Sequence, residues 1–85
     1  MNTNDYIAES RNIASNLKAL RIKRGLSLAE LSNKLSIPKG TVSYYECGYS
    51  KPSEERQNIF AKFYELESSE DLFMNQHDFK KKYGV

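Results

Sequence analysis

One cysteine, one histidine and two prolines in 85 residues leave several chemistries with little to work on. The lone Cys47 forms no internal disulfide framework and suits a reducing compartment, so the expected location is the cytoplasm. His77 stands by itself in a polar C-terminal stretch, and Cys47 has no neighbouring base to activate it. There is no metal-ligand spacing, no glycine-rich phosphate loop and no pair of carboxylates in an apolar setting. A protein that is not an enzyme, with no metal and no cofactor, is therefore expected. No apolar run approaches the length of a membrane span, and residues 1–9 are too polar for a signal peptide. A chain of this length fits one domain.

What is present is unevenly charged. The net charge is +2, but residues 1–52 carry eight Lys/Arg against four Asp/Glu, and residues 53–85 carry five against seven. The basic half suits a surface that meets phosphates, although ordinary surface charge would read the same way.

Ile13, Leu17 and Leu20 recur at helical spacing, with Tyr6 and Ile7 either extending the stripe or fraying. Asn4 or Ser10 is the candidate cap, and Gly25 ends the helix. Arg21, Lys23 and Arg24 fill the last turn, where cations suit the helix dipole or meet phosphates. Ser27-Leu28-Ala29-Glu30 is a capping box that opens a second helix with Leu28, Leu31 and Leu35 on its buried face. Only Ser36-Ile37-Pro38 separates it from a third short helix, Lys39 to Glu46, closed by Gly48. Two helices this short and this tightly joined must cross steeply, which is the helix-turn-helix arrangement. In the third helix Val42, Tyr45 and Glu46 share one side, and Lys39, Gly40, Ser43 and Tyr44 share the other. That second side mixes a cation, a hydroxyl, an aromatic and a glycine, which suits base edges better than bulk water. Ser53 caps a fourth helix whose Ile59, Phe60, Phe63, Tyr64 and Leu66 are core. Ser68 to Leu72 reads as another helix start, and residues 75–85, with Lys80-Lys81-Lys82, as a helical extension, an arm or disorder.

Residues 17–66 resemble the phage-repressor/Cro (XRE-like) helix-turn-helix family. The resemblance is carried by Leu17, Leu20-Arg21, Gly25-Leu26-Ser27, Glu30-Leu31, Leu35, Ile37-Pro38, Thr41-Val42-Ser43, Tyr45-Glu46, Gly48, Pro52-Ser53 and Ala61. It implies an all-α, five-helix, lambda-repressor-like DNA-binding domain with its helix-turn-helix at about 28–46. The expected division of the chain is an N-terminal extension over 1–10, or the start of helix 1, the DNA-binding domain over 11–73 and a C-terminal tail or helical extension over 74–85. By the same resemblance Arg21 and Glu46 form an ion pair between helices 1 and 3. Lys39, Gly40, Ser43 and Tyr44 occupy base-reading positions, with Thr41 at their edge. Ser27 and Leu28 at the start of helix 2, and Cys47, Gly48, Tyr49 and Lys51 after helix 3, stand at phosphate contacts, largely through backbone amides. Two departures weigh against side-chain clamping there: Leu28 and Cys47 replace residues that are commonly polar in relatives.

The expected function is sequence-specific binding of double-stranded operator DNA by a transcriptional regulator, most simply a repressor. The alternative is an antitoxin-like module of the same fold that binds a partner protein. A homodimer is expected, because one helix-turn-helix reads only a few base pairs. Leu66, Leu72, Phe73, Met74 and Phe79 are more apolar residues than a terminal helix hides easily. Leu72, Phe73, Met74 and Phe79 are therefore the expected dimer contact. In the competing view Leu66, Leu72 and Phe73 close the monomer's core and residues 75–85 form a basic arm.

Overall fold

The computed structural model describes residues 3–85. Helix α1 (Thr3–Lys23) is followed by α2 (Leu28–Leu35), α3 (Lys39–Cys47) and α4 (Glu54–Phe63), then a 3-10 helix (Ser69–Phe73) and α5 (Gln76–Tyr83). The described chain has a radius of gyration of 11.9 Å.

Helix α1 begins earlier than either cap named above. Asn4 and Ser10 lie inside it, so neither closes its N-terminus, and Tyr6 and Ile7 are helical and exposed. Its lower half forms the wall of the core. Ile13, Leu17 and Leu20 are buried against Leu31, Ile37, Val42, Tyr45, Phe60, Tyr64, Leu72 and Phe79. Burying each of the larger of these side chains contributes about 1.5–3 kcal/mol.

The connections follow from local chemistry. In the capping box, the Ser27 hydroxyl accepts from the Glu30 amide at 3.0 Å and the Glu30 carboxylate accepts from the Ser27 amide at 2.9 Å. Those bonds from Ser27 hold the Glu30 carboxyl below its ordinary range. Ser36 takes a left-handed conformation to end α2, and Ile37 turns inward to plug the space between α2 and α3. Gly48 ends α3 at φ 80, where a side chain would be strained. A Cβ there would also stand 3.8 Å from both Ala14 Cβ and the Ser10 carbonyl oxygen, so the end of α3 sits close on α1.

The C-terminal quarter departs from the sequence reading. Ser68 caps a 3-10 helix rather than an α-helix, and Met74 and Asn75 are extended. Asn75 then caps α5 by accepting from the Asp78 amide at 2.9 Å. Phe79 and Leu72 are fully buried in the common core. They are not free to form a dimer contact, because the monomer already uses them. A buried asparagine on α1 makes this arrangement possible. Asn16 Nδ2 donates to the Leu72 carbonyl at 3.0 Å and to the Met74 carbonyl at 2.8 Å. Asn12 reaches the Phe73 carbonyl at 3.3 Å. The far side of α5 is locked by Lys82, which bonds Glu67 at 2.5 Å and Asp71 at 2.9 Å, and by the Tyr83 hydroxyl, which donates to Asp71.

Candidate nucleic-acid interface

Helix α3 is held from behind and bare in front. Val42 and Tyr45 are buried, and the Tyr45 hydroxyl accepts from Arg56 Nη1 at 2.8 Å. The carboxylate of Glu46 is clasped by Arg21, whose Nε lies 2.9 Å from Oε2 and whose Nη2 lies 2.9 Å from Oε1. Arg21 Nη1 also donates to the Leu26 carbonyl at 2.8 Å, so one guanidinium joins α1, the turn before α2 and the end of α3. The carboxylate bonds hold this guanidinium all the more firmly in its charged form, and burial only partly opposes them.

On the other side Lys39, Gly40 and Tyr44 are exposed, and Thr41 and Ser43 are half-buried. Among the described residues no carboxylate lies within salt-bridge distance of Lys39. A Cβ built on Gly40 would meet nothing, so no neighbour in the fold requires a glycine there. The five positions thus form one continuous strip on the first two turns of α3.

The strip ends in a feature that the sequence reading missed. Tyr44 and Tyr49 pack edge to face with centroids 6.0 Å apart, while remaining 60% and 78% exposed. The chain reversal at Gly48 makes the pair, since the Tyr49 amide donates to the Tyr44 carbonyl at 3.0 Å. A glycine reversal placed between two tyrosines was the available signal.

The flanking positions are less uniform. Ser27 is exposed, and Leu28 is half-buried against the core. As the first residues of α2, Leu28 and Ala29 present amides that no helical carbonyl can reach. After α3 the amides of Gly48 and Tyr49 are spent on closing the helix, which removes both as backbone donors to a phosphate. Cys47 and the Tyr49 ring remain exposed. Lys51 is turned away: its ammonium bonds Glu9 at 2.6 Å and lies 4.9 Å from the Phe73 ring centroid. That engagement, with a side chain only 18% exposed, corrects its assignment as a phosphate contact.

Among the described residues no three His, Cys, Asp or Glu side chains come together as a metal site. No described helix is long and apolar enough to cross a membrane.

No curated protein and no solved structure matches the chain in comparison. Residues 17–70 do match a family model, that of the Helix-turn-helix family. That match spans more than half of the chain and includes α2, α3 and the turn between them. The chain therefore belongs to the XRE-type helix-turn-helix family, a family of DNA-binding transcription regulators.

Proposed function

We propose that the protein is a repressor that reads operator DNA as a homodimer, with α3 of each protomer in the major groove. The observation that carries this reading is the exposed strip of α3. Gly40 costs the helix about 0.5–1 kcal/mol relative to alanine, and nothing in the fold touches the space beside it. Close approach of another surface accounts for that cost. Around it stand an unpaired ammonium at Lys39, hydroxyls at Thr41 and Ser43, and an exposed ring at Tyr44. Lysine donates to guanine O6 and N7, a hydroxyl serves either role, and a ring packs on a thymine methyl. The free amides at the start of α2 supply phosphate donors.

The test is footprinting on the DNA flanking the protein's own gene, followed by titration of the protected segment. Two protected half-sites about one helical turn, ~34 Å, apart support the reading. Absence of protection, with operator affinity no better than for random DNA, sinks it. Repression is checked by a reporter fused to the protected promoter, where activation would overturn that part alone. The antitoxin-like reading keeps one supporting observation. Tyr6, Ile7 and Ile22 are large exposed apolar side chains on α1, outside α3.

A further inference from the structure

The three consecutive lysines of α5 go three ways. Lys82 is consumed by Glu67 and Asp71. Lys81 faces solvent. Lys80 lines a groove of about 220 Å³ between α5 and α1, together with Gln76, Ser15, Lys18, Ala19 and Ile22. Ile22 is 59% exposed, the most exposed large aliphatic side chain among the described residues. Neither Lys18, Lys80 nor Lys81 has a carboxylate within salt-bridge distance among the described residues. The outer row of α1 (Asn4, Ala8, Arg11, Ser15, Lys18, Ile22) contains no acidic residue. The groove thus combines two aliphatic side chains, Ala19 and Ile22, with two lysines, Lys18 and Lys80, that no described carboxylate pairs.

Its position separates it from the DNA-reading strip. At about 100° per residue, Ser15, Lys18 and Ile22 lie roughly 100–160° around α1 from Leu17, whose side is buried in the core. Helix α3 packs on that buried side, through Arg21–Glu46 and the approach of Gly48 to Ala14.

We propose that this α1–α5 face docks an acidic amphipathic segment of a partner protein. One aliphatic side chain of the segment enters the groove beside Ile22, and flanking carboxylates pair with Lys18 and Lys80. The exposed Ile22 favours a protein segment over nucleic acid, since a phosphate backbone would leave it without a partner. The uncompensated lysines specify its sign. The proposal goes beyond DNA reading and stands without it, because the docking is measured on the protein alone.

The experiment is a titration of the isotopically labelled full chain, without DNA, by two short synthetic peptides of identical composition. One carries leucines along a single helical face flanked by glutamates, and the other has the same residues scrambled. The amphipathic peptide is expected to shift the amides of Ser15, Lys18, Ile22, Gln76 and Lys80 saturably and to leave those of α3 in place. Ile22→Ser, and separately Lys18→Glu with Lys80→Glu, should weaken binding about tenfold, or about 1.4 kcal/mol, with unchanged thermal melts. Added salt should weaken it further. Several results overturn the proposal. One is the absence of saturable shifts at millimolar peptide, and another is equal binding of the scrambled peptide. A third is movement of these amides on dilution of the protein alone, which assigns the face to a second copy. The last is the same shifts on adding a random duplex, which assigns it to nucleic acid. Operator titration of Ile22→Ser, run separately, is expected to match the unsubstituted chain.

Discussion

Arg21 and Glu46, 25 residues apart, meet through a two-point contact with side chains only 13% and 5% exposed. This pair fixes the end of α3 against α1, so the reading strip inherits its position from a helix that carries none of its residues. Glu46→Gln leaves the guanidinium buried beside a neutral group. The expected cost is about 3–5 kcal/mol, which for a domain of this size lowers the melting temperature by more than about 10 °C. A double-mutant cycle with Arg21→Met checks it. A coupling near zero, with single costs below about 1 kcal/mol, would mean that the two side chains act independently.

Gly40 and its neighbours predict a trade between stability and affinity. Gly40→Ala should stabilise the free protein by up to about 1 kcal/mol, because a methyl there meets only open space. The same methyl should weaken operator binding. Lys39→Ala and Tyr44→Ala should each cost about 1–3 kcal/mol of specific binding with the fold retained. Calorimetry paired with operator titration decides the matter, and normal affinity in all three variants would remove α3 from the interface.

The features legible in the sequence were those whose cause is local. The Ser27–Glu30 box, the left-handed Gly48 and the inward Ile37 each follow from residues within a few positions of one another. What escaped depended on distant partners. Lys51 was placed at a phosphate contact by the resemblance alone, and its partner Glu9 is 42 residues away. Asn16 interrupts the apolar stripe of α1, and nothing near it in sequence shows that it serves two carbonyls beyond residue 70. The Asn75–Asp78 cap was a local signal for α5, but Phe79 read as a dimer contact because the core residues it joins lie on distant helices.

Asn16 gives a third prediction. Asn16→Leu keeps the volume roughly constant and leaves the carbonyls of Leu72 and Met74 without their donor. The expected loss is about 1–3 kcal/mol for each stranded carbonyl. Faster amide exchange should be concentrated in the 3-10 helix and α5. Uniform loosening of all helices would mean that Asn16 serves the core generally rather than this junction.

The α5 lock should be sensitive at both pH extremes. The Tyr83 hydroxyl, with help from Lys82, holds the Asp71 carboxyl below its ordinary range. A depressed carboxylate contributes stability that is present above its unfolded pKa and lost as pH falls, so docking should weaken below about pH 4. Burial, together with Asp71, raises Tyr83, and Glu67 with Asp71 raises Lys82. Raised groups contribute below their unfolded values and lose that contribution as pH rises, here beyond about pH 10. Amide exchange of Phe79 to Tyr83 should therefore quicken at both ends before α1–α4 respond. In Asp71→Asn the acid limb should disappear. An unchanged acid limb would assign it to another carboxylate.

The last prediction relocates the proposed dimer contact. With Leu72 and Phe79 committed to the monomer, the expected dimer residues that still reach the surface are Phe73 and Met74, both half-buried. Phe73 borders a depression of about 590 Å³ with Glu54, Gln57, Ser69 and Glu70. Lys51 lies 4.9 Å from the centre of the Phe73 ring and 5.8 Å from that of Tyr6, so the exposed start of α1 adjoins the same patch. A contact built on Tyr6, Phe73 and Met74 leaves the α3 strip free, as two half-sites require. Tyr6→Ser combined with Phe73→Ser should then give a monomer with unchanged helicity and far weaker binding to a full operator. Phe79→Ser should behave differently, costing about 3–5 kcal/mol of folding stability at any protein concentration. Sedimentation with and without operator DNA separates these outcomes. An unsubstituted protein that stays monomeric at high concentration and on its operator would end the dimer proposal, whatever the variants do.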